Sequence, residues 1–185
     1  MTVEEIFSKV SAHMIKGMMI HDQLASYYDF LNLHGFKRCH DYHYNKEAKA
    51  YRALCGYYIN HYNKLIPETK IDNPNAIPDT WHRYTRFDVD ISTKRNAVKA
   101  GFEKWIEWEK SAKQLYQAVY DELLDGEEID AALYIGDLIK DVSKELKYAQ
   151  RKMLYYASAD FDMSLILSSQ KSAHKKYKKK MCCKK

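Results

Sequence analysis

VKAGFEKWIEWEKSAKQLYQAV, residues 98–119, decides the fold. Taken in steps of four and three it yields Val98, Phe102, Trp105, Glu109, Ala112, Tyr116 and Val119, and the next step reaches Leu123. Steps that alternate in this way stay on one face of a 3.6-residue helix, so this is the stripe that such a helix turns towards a core. Its fourth member is a carboxylate. An isolated carboxylate costs several kcal/mol to take out of water, so Glu109 needs a partner inside.

The same period extends outward from this stretch. A first helix reads from about Val3 to Leu33, with Thr2 and Glu5 forming a capping box. Its stripe runs through Ile6, Val10, Met14, Gly17, His21, Leu24 and Tyr28, and His34-Gly35 is expected to stop it. A second helix reads from roughly Asp41 to Leu65, with Glu47, Tyr51, Leu54 and Tyr58 on the stripe and Pro67 beyond its end. Residues 66–92 hold all three prolines, an Asp72-Asn73-Pro74-Asn75 turn cluster and no helical period. A loop this long inside a compact domain needs a reason, and crossing from one end of a bundle to the other is one. The third helix runs from about Thr93 to Leu124, with Ser92 or Thr93 as its cap and Asp125-Gly126 as its break. The fourth runs from about Glu128 to Tyr156 along Ala131, Ile135, Leu138, Val142, Glu145 and Ala149. A shorter fifth covers about Asp162 to Lys178.

The fold class is therefore all-α: two antiparallel hairpins joined by one long crossover, a four-helix bundle with an additional C-terminal helix. Residues 1–160 make the bundle, and 161–185 the last helix and a basic tail. Aromatic residues are 14% of the 185, which argues against disorder, and six glycines and three prolines are too few for a turn-rich β fold. The net charge of +5 is unevenly spread. The segment Lys171–Lys185 holds eight lysines and no acid, leaving 22 basic residues against 25 acidic in the body. Nonspecific contact with nucleic acid, if made, belongs to those C-terminal lysines. Cys39, Cys55, Cys182 and Cys183 include no C-x-x-C pair, as expected of a reduced cytoplasmic protein. No apolar run approaches the length that spans a membrane, and MTVEEIF lacks the basic start of a signal peptide.

Glu109 is one of four polar interruptions. His21, Glu47, Glu109 and Glu145 each break an apolar stripe, one per long helix and none near a helix end. A cation would neutralise such acids, and imidazole and carboxylate both ligate iron, manganese or zinc. Over residues 3–156 the chain resembles the ferritin-like superfamily in helix order, in the single crossover and in these four interruptions. That resemblance implies Glu47 and Glu145 at the acids of the second- and fourth-helix Glu-x-x-His pairs, Glu109 at the lone third-helix acid and His21 at the lone first-helix acid. It implies iron as the metal, with manganese or zinc as alternatives, and a homo-oligomer. If the site is catalytic, the implied chemistry is oxidation of Fe(II) or activation of oxygen.

The departures are plain. Ala50 and Tyr148 stand where both histidines of those pairs belong. A mononuclear or degenerate centre is therefore expected, with Tyr51 and Tyr148 as oxygen ligands or as hydrogen-bond partners of Glu47 and Glu145. Three rivals stay open. In the first, Glu109 pairs with a lysine, Glu145 with Arg151 or Lys152, and His21 is a hydrogen-bonded core histidine. In the second, the bundle assembles without metal. In the third, it is DNA-associated like the ferritin-like proteins of starved cells, although their tryptophan-asparagine motif is absent. His34, Cys39, His40 and His43 read as a solvated first link, though His40-x-x-His43 has ligand spacing.

Overall fold

The computed structural model describes residues 1–68, 70–77, 84–86 and 88–182, with side chains to 180. Among the described residues five helices follow in order: α1 (Val3–Phe30), α2 (His34–Tyr62), α3 (Ile91–Asp125), α4 (Ile129–Ala157) and α5 (Met163–Cys182). The described residues hold no strand.

Local chemistry sets the ends. Thr2 and Glu5 form the capping box, each side chain accepting from the other's backbone N–H. Asp90, and neither Ser92 nor Thr93, caps α3 by accepting from the Thr93 N–H at 2.6 Å. A carboxylate also suits the positive end of the helix dipole. Gly126 follows α3, and Glu127 turns the chain at φ 61.

The largest departure from the sequence reading lies between α1 and α2. The link is only Leu31 to Leu33, turned by Asn32 at φ 60, and α2 starts at His34 instead of about Asp41. Gly35 is not a stop. It lies inside the helix because α5 crosses it there: a Cβ at Gly35 would come within 1.8 Å of the Gln170 carbonyl oxygen. The Gln170 side chain accepts from the Gly35 N–H at 2.9 Å. The expected solvated link is thus the first turns of a helix, with Cys39, His40 and His43 buried.

The segment after α2 travels the length of α1. The Pro67 carbonyl accepts from Ser8, Asn73 and Ala76 bond Gln23, and Arg86 reaches the Asp29 carbonyl. Ser8 to Asp29 spans about 30 Å at helical rise. The long crossover is real, and it leaves α3 antiparallel to α1. Trp81 and His82 lie outside the described residues.

The core has two halves. One gathers Ile6, Phe7, Leu54, Val119 and Ile135 among others; the second gathers Leu24, Tyr28, Phe36, Phe102 and Tyr156 among others. A gap separates them on each long helix: Met14 to Ile20, Cys39 to Leu54, Trp105 to Ala112, and Val142 to Ala149. Glu47, Glu109 and Glu145 lie in that gap on α2, α3 and α4, whereas His21 of α1 lies just past it, beside Ile20. Helix α5 joins the second half through Ile166 and Tyr177.

Candidate metal centre

Glu109 and Glu145 sit at mid-helix between apolar neighbours a turn away, Trp105 and Ala112, and Val142 and Ala149, whereas Glu47 sits between His43 and Ala50. Glu47 of α2, Glu109 of α3 and Glu145 of α4 line one small cavity of about 50 Å³, walled by His13, Trp108 and Tyr116. Glu109 is 1% exposed. Trp105, one turn back, donates its indole N–H to Glu109 Oε1 at 2.8 Å. Glu145 has both oxygens engaged: His43 Nδ1 is 2.8 Å from Oε2, and the Lys46 ammonium bonds Oε1.

The three acids are therefore not alike. Burial and the Glu145 charge push Glu47 up to about 7. Burial and the Glu145 charge push Glu109 up to about 8, against the opposing pull of the Trp105 bond. Burial opposes the Glu145 charge too, but His43 and Lys46 prevail and hold it down at about 2. Burial likewise opposes a charge on His43, yet Cys39 and Glu145 raise it to about 10. The layer without metal is one carboxylate neutralised by two protein cations, beside two carboxyls that keep their protons near neutral pH. Like charges this close cannot all ionise without a cation.

His21 lies past the α1 gap, beside His40, and does not line the cavity. Its Nδ1 is 3.0 Å from His40 Nδ1, and its ring packs on those of His43 and Trp105. Burial, then the His43 charge, lower it to about 3. The Nε2 atoms of His21, His43 and His13 are buried and have no hydrogen-bond partner among the described residues. Buried polar atoms of this kind are rare and mark places where something else belongs.

No group of three or more His, Cys, Asp or Glu side chains is poised to hold a metal ion among the described residues. Trp105 bonds Glu109, and His43 and Lys46 bond Glu145. A dinuclear centre does not fit. Ala50 and Tyr148 supply no histidine. Gly17, which faces the centre from α1, has no room for a longer side chain: its Cβ would meet the Trp108 indole at 3.2 Å and Glu47 at 3.4 Å. Tyr148 turns away and accepts from Tyr177 at 3.2 Å. Tyr51 does not line the cavity. The cavity of about 50 Å³ has room for a water, which needs only about 10–15 Å³ of such space.

Reading single stripes missed His43 and Lys46, which supply the cations, and His13 with Trp108, which stack at 4.0 Å to form one wall. The His40-x-x-His43 spacing was the available signal for the first of these. Glu145 pairs with neither Arg151 nor Lys152.

Helix order, the crossover and the central polar layer define a ferritin-like fold. The chain superposes on an Archaeoglobus fulgidus ferritin engineered into a closed form with a TM-score of 0.77 at 12% identity, over 94% of this chain and 96% of that one. A humanized archaeal ferritin gives 0.76 at 13% identity over 92% and 94%. A PmFTN variant soaked in iron gives 0.73 at 8% identity over 90% and 95%. No protein-family model and no curated protein matches the sequence.

Proposed function

We propose that the chain is a ferritin-like metal-binding protein of the iron-handling kind, with a degenerate centre that takes one ion per bundle. The observation that carries this reading is the pair of buried carboxyls, Glu47 and Glu109, forced to keep their protons beside an ionised Glu145. Such a layer is electrostatically unfinished, and a divalent cation finishes it. Glu47, Glu109 and Glu145 would hold the ion. His43, bonded to Glu145, and His21, packed on His43, offer unpartnered Nε2 atoms beside the three acids. Iron held there would supply redox chemistry, the one-electron oxidation of Fe(II) with dioxygen as the acceptor. The chain's own residues do the rest: Trp105 orients Glu109, His43 orients Glu145, and the apolar core halves exclude bulk water. Lys46 occupies Glu145 until an ion displaces it. Iron is favoured over manganese and zinc by the iron-soaked structures that share the fold.

Self-association belongs to the same reading, since Leu133 and Leu154 of α4 are more than half exposed. No helix among the described residues is long and apolar enough to cross a membrane.

Equilibrium dialysis against Fe(II), Mn(II) and Zn(II) under anoxia, followed by elemental analysis, tests the reading. Wild-type protein should retain about one ion per chain, and Glu109→Gln and Glu145→Gln should retain none. Retention that both variants preserve would place the metal elsewhere.

A further inference from the structure

The docking of α5 leaves a second, much larger cavity that the carboxylate layer does not use. It measures about 480 Å³ and lies between α2, α3, α4 and α5. Protein interiors are close-packed, with few voids above the size of a water. A cavity of this size falls instead in the range of small-molecule sites, about 300–1,000 Å³.

Its floor is aromatic. Phe36, Phe102, Trp105 and Tyr156 are all buried and form a ring-on-ring lining: Phe36 and Phe102 have centroids 5.7 Å apart, Phe102 and Tyr156 5.3 Å. Its mouth is cationic. Lys152 and Lys176 border it, and among the described residues no acidic side chain does. The Lys176 ammonium stands 4.8 Å over the Tyr148 ring and 5.2 Å over the Tyr177 ring, and Lys152 lies 5.6 Å over Tyr155. The rings thus hold both ammonium groups near the opening. Ser168, Ser169 and Ser172 add hydroxyls on the α5 side.

We propose that this cavity is a binding site for a small amphipathic anion, a body of one or two aromatic rings carrying one carboxylate, sulfonate or phosphate group. The rings of the ligand lie on the Phe36–Phe102–Tyr156 floor, where edge and offset contacts add to burial. The anionic group is held at the mouth by Lys152, Lys176 and the serine hydroxyls through charge-assisted hydrogen bonds. A neutral analogue loses those bonds, and an aliphatic anion loses the stacking. The site is separate from the carboxylate layer: Trp105 stands between them, its N–H on Glu109 and its ring in the cavity wall.

Anilinonaphthalene sulfonate, which has this shape and charge, serves as the probe, titrated by fluorescence into the full chain. Neutral phenylnaphthylamine serves as its uncharged counterpart. The sulfonate should bind in one saturable class, at least about tenfold tighter than the neutral amine, the size of one charge-assisted bond. Ser172→Trp, an exposed position at the mouth, should abolish binding without lowering the melting temperature. The double variant Lys152→Gln/Lys176→Gln should weaken the sulfonate about tenfold and leave the amine unchanged. Equal affinity for the two probes, or a folded Ser172→Trp that binds as wild type does, would overturn the assignment.

Discussion

Replacing Glu109 by glutamine isolates the charge of the central acid from its shape. The Trp105 indole N–H that bonds Glu109 Oε1 at 2.8 Å finds an equivalent amide oxygen in glutamine, so the orienting contact survives. The ionisable proton does not. In the folded chain burial and Glu145 raise Glu109 from 4.5 to about 8. Between those values the folded state keeps a proton that the unfolded state releases. Stability therefore falls as pH rises through this window, by about 1.4 kcal/mol for each pH unit. At pH 7 the accumulated cost is on the order of 3 kcal/mol. Glutamine removes that cost, so the variant should melt roughly 6–12 °C above wild type at pH 7, and the two should converge near pH 4.5. Scanning calorimetry on chelator-treated protein across that range reads both the offset and the slopes. Parallel melting curves for the two proteins, or a variant less stable at every pH, would refute the reasoning.

Other consequences follow from the same layer. Lys46→Met removes the competitor for Glu145. Titration calorimetry should show tighter metal binding, while the metal-free protein loses about 1 kcal/mol or less, because the lysine is 37% exposed. Weaker metal binding would mean that Lys46 assists the ion. Glu145 is held at about 2, so its contribution is full above 4.5 and lost as pH falls towards 2. Urea midpoints between pH 5 and 2.5 should drop more steeply for wild type than for Glu145→Gln. Gly35→Ala forces a Cβ into the Gln170 carbonyl and should lift α5 from α2 at a cost of about 1–3 kcal/mol. Limited proteolysis near residue 162 detects this, and unchanged protection would show that the helices slide apart freely.

How much was legible beforehand divides along a physical line. Glu109, Glu145 and Glu47 were visible because a strict helical period makes any polar member conspicuous, and period survives in a single sequence. The crossover was visible because its prolines and its length leave few uses for it. The start of α2 was not. Gly35 carries the same letter whether it ends a helix or lets another helix approach, and only the position of Gln170 decides which. That one ambiguity displaced His40 and His43 into an imagined loop and hid the imidazole that bonds Glu145. Lys46 was hidden for a different reason. It is partly exposed and off the stripe, and its reach to α4 across the bundle leaves no trace in local spacing. The period of α1 puts His21 on the stripe, but its height along the helix sets it beside His40 instead of in the cavity.

If protons and Lys46 occupy the place that a metal ion takes, the arriving ion must displace them. Anaerobic calorimetric titration of Fe(II) near pH 6.5, repeated in buffers of different ionisation enthalpy, counts the protons that binding releases. With Glu47 at about 7 and Glu109 at about 8, saturation is expected near one ion per chain with about two protons released. In Glu109→Gln binding should be lost, and proton release with it. Saturation without proton release, or an unchanged isotherm in Glu109→Gln, would contradict it.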